Sequence, residues 1–240
     1  MTSGVKKGSQ SLIIWLCWSV YTIAYLGRYS YNANITLIIA DYNITKAEAG
    51  LVGTFFFFAY GIGQVINGMV AKRYNKKILF PLAMLVSATF NLMLFVGVPF
   101  EYIKYMWLLN GIVQSCFWPS IISVLSENLD ENHMNKAVSL TGTSSVIGTV
   151  VIYGMSVLFV NAGSYELSFL ISTVLMVAIG LLWIVLYRPT GAYVKSEEKV
   201  ETKTKKSSFK AIGLVMIVLA VFAILLFSNF ISVSIAQKNP

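Results

Sequence analysis

The sequence predicts an all-α polytopic membrane protein, a bundle of six transmembrane helices followed by one additional transmembrane helix. Three observations predict it. Of the 240 residues, 57% are hydrophobic and 12% charged, against about 45–50% and about 25% in a soluble domain. Seven apolar stretches reach the roughly 20 residues that a helix needs to cross about 30 Å of hydrocarbon. Lysine and arginine gather in alternate loops, the pattern that orients membrane helices. Transmembrane β-barrels show shorter segments of alternating polarity, so these spans are helices.

In chain order, the apolar stretches place the first span at residues 11–40 and the second at 47–71. The third covers 78–98, the fourth 102–125, the fifth 136–160 and the sixth 165–187. Pro119 in the fourth span removes a backbone donor and is expected to bend the helix there. After the sixth span comes "RPTGAYVKSEEKVETKTKKSSFK", a charged linker with no apolar run. The seventh span follows at 209–236. This divides the chain into a bundle (1–188), a charged cytoplasmic linker (189–208) and a trailing helix (209–240). Six helices, a charged loop and one more helix is the layout of half a twelve-helix transporter plus the start of its second half. On that reading the partner of the bundle is a missing C-terminal six-helix half.

With the N-terminus inside, fourteen of the eighteen basic residues fall on the inner side. They are Lys6, Lys7, Lys72, Arg73, Lys76, Lys77, Lys136, Arg188 and six lysines between 195 and 210. Only Lys46, Lys104 and Lys238 fall outside. This predicts a multi-pass protein of the cell membrane with a cytoplasmic N-terminus. The net charge of +8 therefore reads as topology signal, with weak affinity of the linker for anionic membrane lipid. No basic face with interleaved aromatics lies outside the spans, so nucleic acid is excluded as a partner.

No enzyme chemistry is expected. There is no Ser-His-Asp grouping and no metal-ligand spacing, and no cofactor is implied. "GIGQVING" (61–68) lies within a span and is not a nucleotide loop. Cys17 and Cys116 sit inside spans. His133 sits in a polar loop, 126–136, without a second ligand.

Arg28 breaks the apolar pattern. It lies near the middle of the first span, out of snorkelling reach of either end, where a charge costs upward of about 2.5–3.5 kcal/mol. All ten acidic residues fall in loops or at helix ends: Asp41, Glu48, Glu101, Glu127, Asp130, Glu131, Glu166, Glu197, Glu198 and Glu201. A visiting anion is the expected counter-ion, in a water-filled cavity, and the planar fork of guanidinium suits phosphate or carboxylate oxygens.

Polar stripes on four helices support a cavity. Tyr21, Tyr25, Arg28 and Asn32 share one face of the first span. Tyr60, Gln64 and Asn67 do so on the second; Asn110, Gln114 and Trp118 on the fourth; Thr141, Ser144, Ser145 and Gly148 on the fifth. Glycines 53, 61, 63 and 68 in the second span, with 142 and 148 in the fifth, are expected to let helix backbones approach closely.

The loop "GMVAKRYNKK" resembles the loop between helices two and three of major facilitator superfamily transporters. Gly68, Arg73, Asn75, Lys76 and Lys77 match that pattern, and Lys72 stands where the family usually has Asp. Within the superfamily the chain is similar to the organophosphate:phosphate antiporters, which carry glycerol 3-phosphate and hexose 6-phosphates. Three stretches carry this: "YLGRYSYNANI", "GLVGTFFFFAYGIGQVINGMVAKRYNKK" and "LLNGIVQSCFWPS", within about 190 residues of similarity. The resemblance implies that Arg28 binds the substrate phosphate, that Gly68, Arg73, Lys76 and Lys77 belong to a gating loop, and that the activity is exchange of a phosphorylated metabolite for inorganic phosphate. Tyr25, Asn32, Tyr60, Gln64, Asn110, Gln114, Trp118 and Ser145 would complete the site. The chain departs from the family at Gln64, often Lys; at Ser145, His in some members; at Ser123, where an arginine is common; and in a seventh span without arginine. A monoanionic carboxylate is therefore an alternative substrate, and a transporter-like sensor of the same anion an alternative role. A self-contained seven-helix receptor is a further rival, disfavoured by the lack of polar residues in the seventh span.

Overall fold

The computed structural model describes residues 7–189. The seventh span and the linker from residue 190 onward lie outside the described residues. Eight α-helices build the described part: α1 (Lys7–Ala33), α2 (Ile35–Asp41), α3 (Lys46–Val70), α4 (Lys76–Val96), α5 (Phe100–Gln114), α6 (Phe117–Asn128), α7 (Glu131–Asn161) and α8 (Leu167–Leu186). Six stretches among them are long and apolar enough to cross a membrane. The first and fourth predicted spans are each a broken pair, α1–α2 and α5–α6.

Both breaks have local causes. At Asn34 the side-chain Nδ2 donates to the Ser30 carbonyl at 2.8 Å, taking the place of the backbone N–H. The Asn34 N–H turns to the Tyr31 carbonyl instead, and the chain leaves the α-helical path for one residue. At 115–116 the helix yields to Pro119, which has no N–H to give the Ser115 carbonyl and whose ring crowds it. The distortion expected at Pro119 therefore falls one turn earlier.

Caps set the remaining boundaries. Thr45 and Glu48 form a reciprocal capping box, with Thr45 Oγ1 accepting from the Glu48 N–H and Glu48 Oε2 accepting from the Thr45 N–H. Gly97, at φ 84°, closes α4 in the left-handed region that costs other residues more. Asp130 Oδ1 accepts the His133 N–H at 2.9 Å, which starts α7 at residue 131. The polar stretch 126–136 is thus mostly helix, not the loop expected from its charge. His133 sits in the first turn of α7, with Nδ1 2.6 Å from Asp130 Oδ1.

α1 lies at the middle of the bundle and packs on α7, α8, α6 and α4, while α3 packs on α5 and α4 on α8. Where backbones come closest, glycine is required. A Cβ on Gly111 would stand 2.4 Å from the Phe56 carbonyl oxygen, and one on Gly148 2.5 Å from that of Thr22. Gly63 meets the Ser115 side chain, as expected of a packing glycine. Gly61, Gly68 and Gly142, expected in the same role, face open space, and Gly53 has only Asn32 Oδ1 nearby, at 3.8 Å. They lie on α3 and α7, the two helices least covered within the described bundle: 22% of each apolar window is buried, against 61% in α4 and 67% across α5–α6.

One end of the bundle carries Lys72, Arg73, Lys76, Lys77 and Arg188 and is called the basic end below. Trp183 Nε1 donates to the Lys76 carbonyl at 3.0 Å there, joining the end of α8 to the start of α4. At the opposite end Tyr42 OH donates to the Val98 carbonyl at 2.8 Å, and Tyr165 OH donates to Asp41.

Gly111→Ala and Gly148→Ala should each destabilise the protein by about 1–3 kcal/mol, the usual cost of overpacking, because backbone rather than a movable side chain opposes the new methyl. Gly142→Ala should be near neutral. Thermal unfolding in detergent compares the three.

Candidate functional site

Arg28 is 3% exposed. Its Nε donates to Gln114 Oε1 at 3.0 Å. Its Cζ lies 4.3 Å from the ring centroid of Tyr25, 4.3 Å from that of Tyr60 and 5.8 Å from that of Phe56. Contacts of this kind are worth about 2 kcal/mol or more when desolvated, comparable to the lower estimates of the membrane penalty. Among the described residues no carboxylate pairs with Arg28, and its Nη2 has no hydrogen-bond partner. The guanidinium is more enclosed than the expected open cavity would make it.

Three helices hold this arrangement. Tyr25 and Arg28 stand on α1, Tyr60 and Gln64 on α3, Asn110 and Gln114 on α5. Gln64 Nε2 donates to Tyr60 OH at 2.6 Å. Gln114 Nε2 donates to Asn110 Oδ1 at 3.4 Å, and that oxygen also accepts from Ser87 Oγ at 2.7 Å. Gln114 is thereby held with its oxygen toward Arg28. Asn110 Nδ2 is buried without a partner. Trp118 reaches the cluster through a chain of rings, with centroids 5.2 Å from Trp118 to Tyr21 and 5.0 Å from Tyr21 to Tyr25.

Two predicted site residues, Asn32 and Ser145, are joined to it by neither a hydrogen bond nor a ring contact. Asn32 stands one turn along α1, near Gly53. Ser145 Oγ donates to its own helix, at the Gly142 carbonyl, 2.8 Å away. Phe56 and Ser87 belong to the cluster and went unread. Phe56 precedes Tyr60 by one turn, and Ser87 with Asn91 forms a two-residue polar stripe on the third span. Both signals were present but weak in so apolar a sequence.

The residues assigned to a gating loop divide. Gly68, Arg73 and Lys77 are exposed. Lys76 is 6% exposed and forms an ion pair with Glu127 Oε1 at 2.6 Å, while Ser123 Oγ donates to the same oxygen at 2.6 Å. Lys76 thus binds the start of α4 to the end of α6. No group of three or more potential metal ligands occurs among the described residues.

Long membrane-spanning helices, broken at Asn34 and before Pro119 and grouped around a buried cation, define a polytopic membrane protein of transporter architecture. Residues 17–237 match the family model described as Major Facilitator Superfamily, and the chain belongs to that family. It is 22% identical over 170 residues to a probable hexose phosphate transport protein of Chlamydia pneumoniae, covering 71% of this chain and 37% of that protein. It is also 22% identical over 140 residues to the membrane sensor protein UhpC of Escherichia coli K12, covering 58% of this chain and 32% of that one. The chain thus spans about a third of the length of these relatives. The fold matches, with TM-score 0.69 and 15% identity, a bacterial homolog of the human lysosomal transporter Spinster, in its inward-facing and unoccupied conformation. That match covers 87% of this chain and 50% of the other.

Lys76→Met should leave Glu127 with a lone hydroxyl donor in a largely buried setting and cost about 1–3 kcal/mol. The double variant Lys76→Met, Glu127→Met should recover part of the loss. A double-mutant cycle in thermal unfolding measures the coupling.

Proposed function

We propose that this chain is the N-terminal bundle of a secondary transporter for an organic anion, a phosphorylated metabolite such as a sugar phosphate or glycerol phosphate. The exchanged anion would be inorganic phosphate. The observation that supports it best is Arg28: a deeply buried guanidinium, with an unpartnered Nη2 and no carboxylate to neutralise it. The relative named as a hexose phosphate transport protein supports the substrate class.

In this reading the substrate phosphate or carboxylate takes the open edge of the Arg28 fork. Gln114 holds Nε and sets the plane of the guanidinium. Tyr25, Tyr60 and Trp118 wall the site, and Gln64, Asn110, Asn32 and Ser145 supply polar groups as the bundle moves. A second six-helix half packs on the exposed faces of α3 and α7, and the two halves rock about the midplane site to open it alternately to either side. Residues 68–77 lie at the cytoplasmic gate, with the N-terminus in the cytoplasm of a cell-membrane protein. The UhpC relative favours a second reading, a sensor that binds the same anion without moving it.

Counterflow of radiolabelled hexose 6-phosphate and phosphate in proteoliposomes carrying the full protein tests this. Arg28→Lys keeps the charge but loses the fork, and should reduce counterflow by about tenfold or more. Gln114→Glu places a carboxylate beside the arginine, satisfying the cation internally, and should abolish anion uptake while preserving the fold. Unchanged uptake in both variants would overturn the anion site. Binding without counterflow in the unmodified protein would assign the sensor role.

A further inference from the structure

Apart from the residues of the Arg28 cluster, α4 and α8 leave an apolar groove of about 440 Å³ between them. Its lining runs along α4 from Lys77 through Ile78, Pro81 and Leu82 to Leu85, and along α8 from Ile184 back to Met176. The floor is formed where Gly180 stands against Pro81: a Cβ there would lie 3.5 Å from the Pro81 Cα. A larger residue at 180 would fill the space. Ile78, Leu85, Leu181 and Ile184 are 45–61% exposed along its rim.

The groove has a polarity. Eight residues of helix separate Lys77 from Leu85, about 12 Å at 1.5 Å per residue. The lining thus begins at a lysine at the basic end and descends through hydrocarbon depth, within one leaflet of a core about 30 Å thick. Arg73 precedes α4, and Arg188 follows α8 one turn beyond Ile184. The Trp183–Lys76 hydrogen bond holds these two helix ends together. Lys77 and Arg73 form no ion pair with a carboxylate among the described residues. An acyl chain in an apolar slot with a phosphate at a cationic mouth matches this distribution of chemistry. Basic pockets between helices on the cytoplasmic side are where anionic head groups bind.

We propose that the α4–α8 groove is a binding site for one anionic glycerophospholipid of the leaflet at the basic end, with an acyl chain along Pro81, Leu85, Val177 and Leu181 and the phosphate on Lys77. The leaflet rests on the orientation proposed above; the groove does not. Met176 forms the inner wall and also fills the notch of Gly27, the residue before Arg28, since a Cβ on Gly27 would overlap the Met176 methyl at 1.8 Å. The lipid site therefore backs directly onto the segment that carries the buried cation.

Native mass spectrometry of the full chain in detergent, with added phosphatidylglycerol or phosphatidylcholine, tests the proposal independently of orientation and transport. One phosphatidylglycerol should be retained in preference to phosphatidylcholine. Lys77→Glu should reduce that preference by about fivefold or more, the effect of about 1 kcal/mol per surface lysine. Leu181→Trp, at a position 59% exposed and so tolerant of bulk, should fill the groove and remove retention of both lipids. Thermal unfolding of both variants should stay near that of the unmodified chain. Equal retention of the two lipids, an unchanged preference in Lys77→Glu, or full retention in Leu181→Trp would overturn the proposal. So would a lipid-free dimer that Leu181→Trp dissociates, which would place a helix of a second copy in the groove. Lipid binding that fails while phosphate-ester counterflow persists would count against the groove and leave the transport reading intact.

Discussion

A guanidinium held inside a membrane bundle without a carboxylate is the constraint around which the rest of this structure is arranged. Arg28 requires polarisable rings, hydrogen-bond acceptors and a fixed orientation, and α1, α3 and α5 supply them. Tyr25 and Tyr60 place electron-rich faces near the charge. Gln114 accepts from Nε, and its own orientation depends on Asn110 and Ser87. Close approach of α3 and α5 is needed to put Tyr60 and Gln114 on the same cation, and Gly111 against the Phe56 carbonyl permits it. Packing and electrostatics are here one problem.

The bundle is also unevenly closed. α4 and α5–α6 are well buried while α3 and α7 remain largely uncovered within the described residues. The polar stripes run along α1, α3, α5 and α7, so the cation cluster borders the less covered side. A site at such a border can be finished by a second body that packs there, which is what alternating access requires. Further ties lie at the two ends. Lys76–Glu127 and Trp183–Lys76 close the basic end, and Tyr42–Val98 and Tyr165–Asp41 the other.

Departures from the antiporter pattern acquire a physical meaning in this setting. Gln64 is engaged with Tyr60 rather than offering a second cation, and Ser145 bonds to its own helix. The positive charge in the middle of the described spans is therefore that of Arg28. An anion bound by this half would meet one guanidinium fork, aromatic walls and amides. On the proposed reading, discrimination between mono- and dianions would depend on what a second half contributes.

The class of fold was legible in the sequence because the bilayer imposes it: apolar runs of about 20 residues and sided lysines leave few alternatives. Arg28, Gln114, Tyr25 and Tyr60 were legible as a cluster because helical periodicity puts polar residues on shared faces. The breaks at Asn34 and Ser115 were not, since they depend on which carbonyl a side chain reaches and on where a proline's strain is released. Nor could periodicity tell Gly63, Gly111 and Gly148, which touch neighbouring helices, from Gly61 and Gly142, which do not. Lys76 reads as a surface lysine until Glu127, fifty-one positions away, comes to meet it. The sequence by itself determined the six described spans and the presence of a charge lacking a carboxylate partner among the described residues. Only tertiary structure decided how that charge is enclosed, because rotation and separation of helices depend on contacts between residues far apart in the chain.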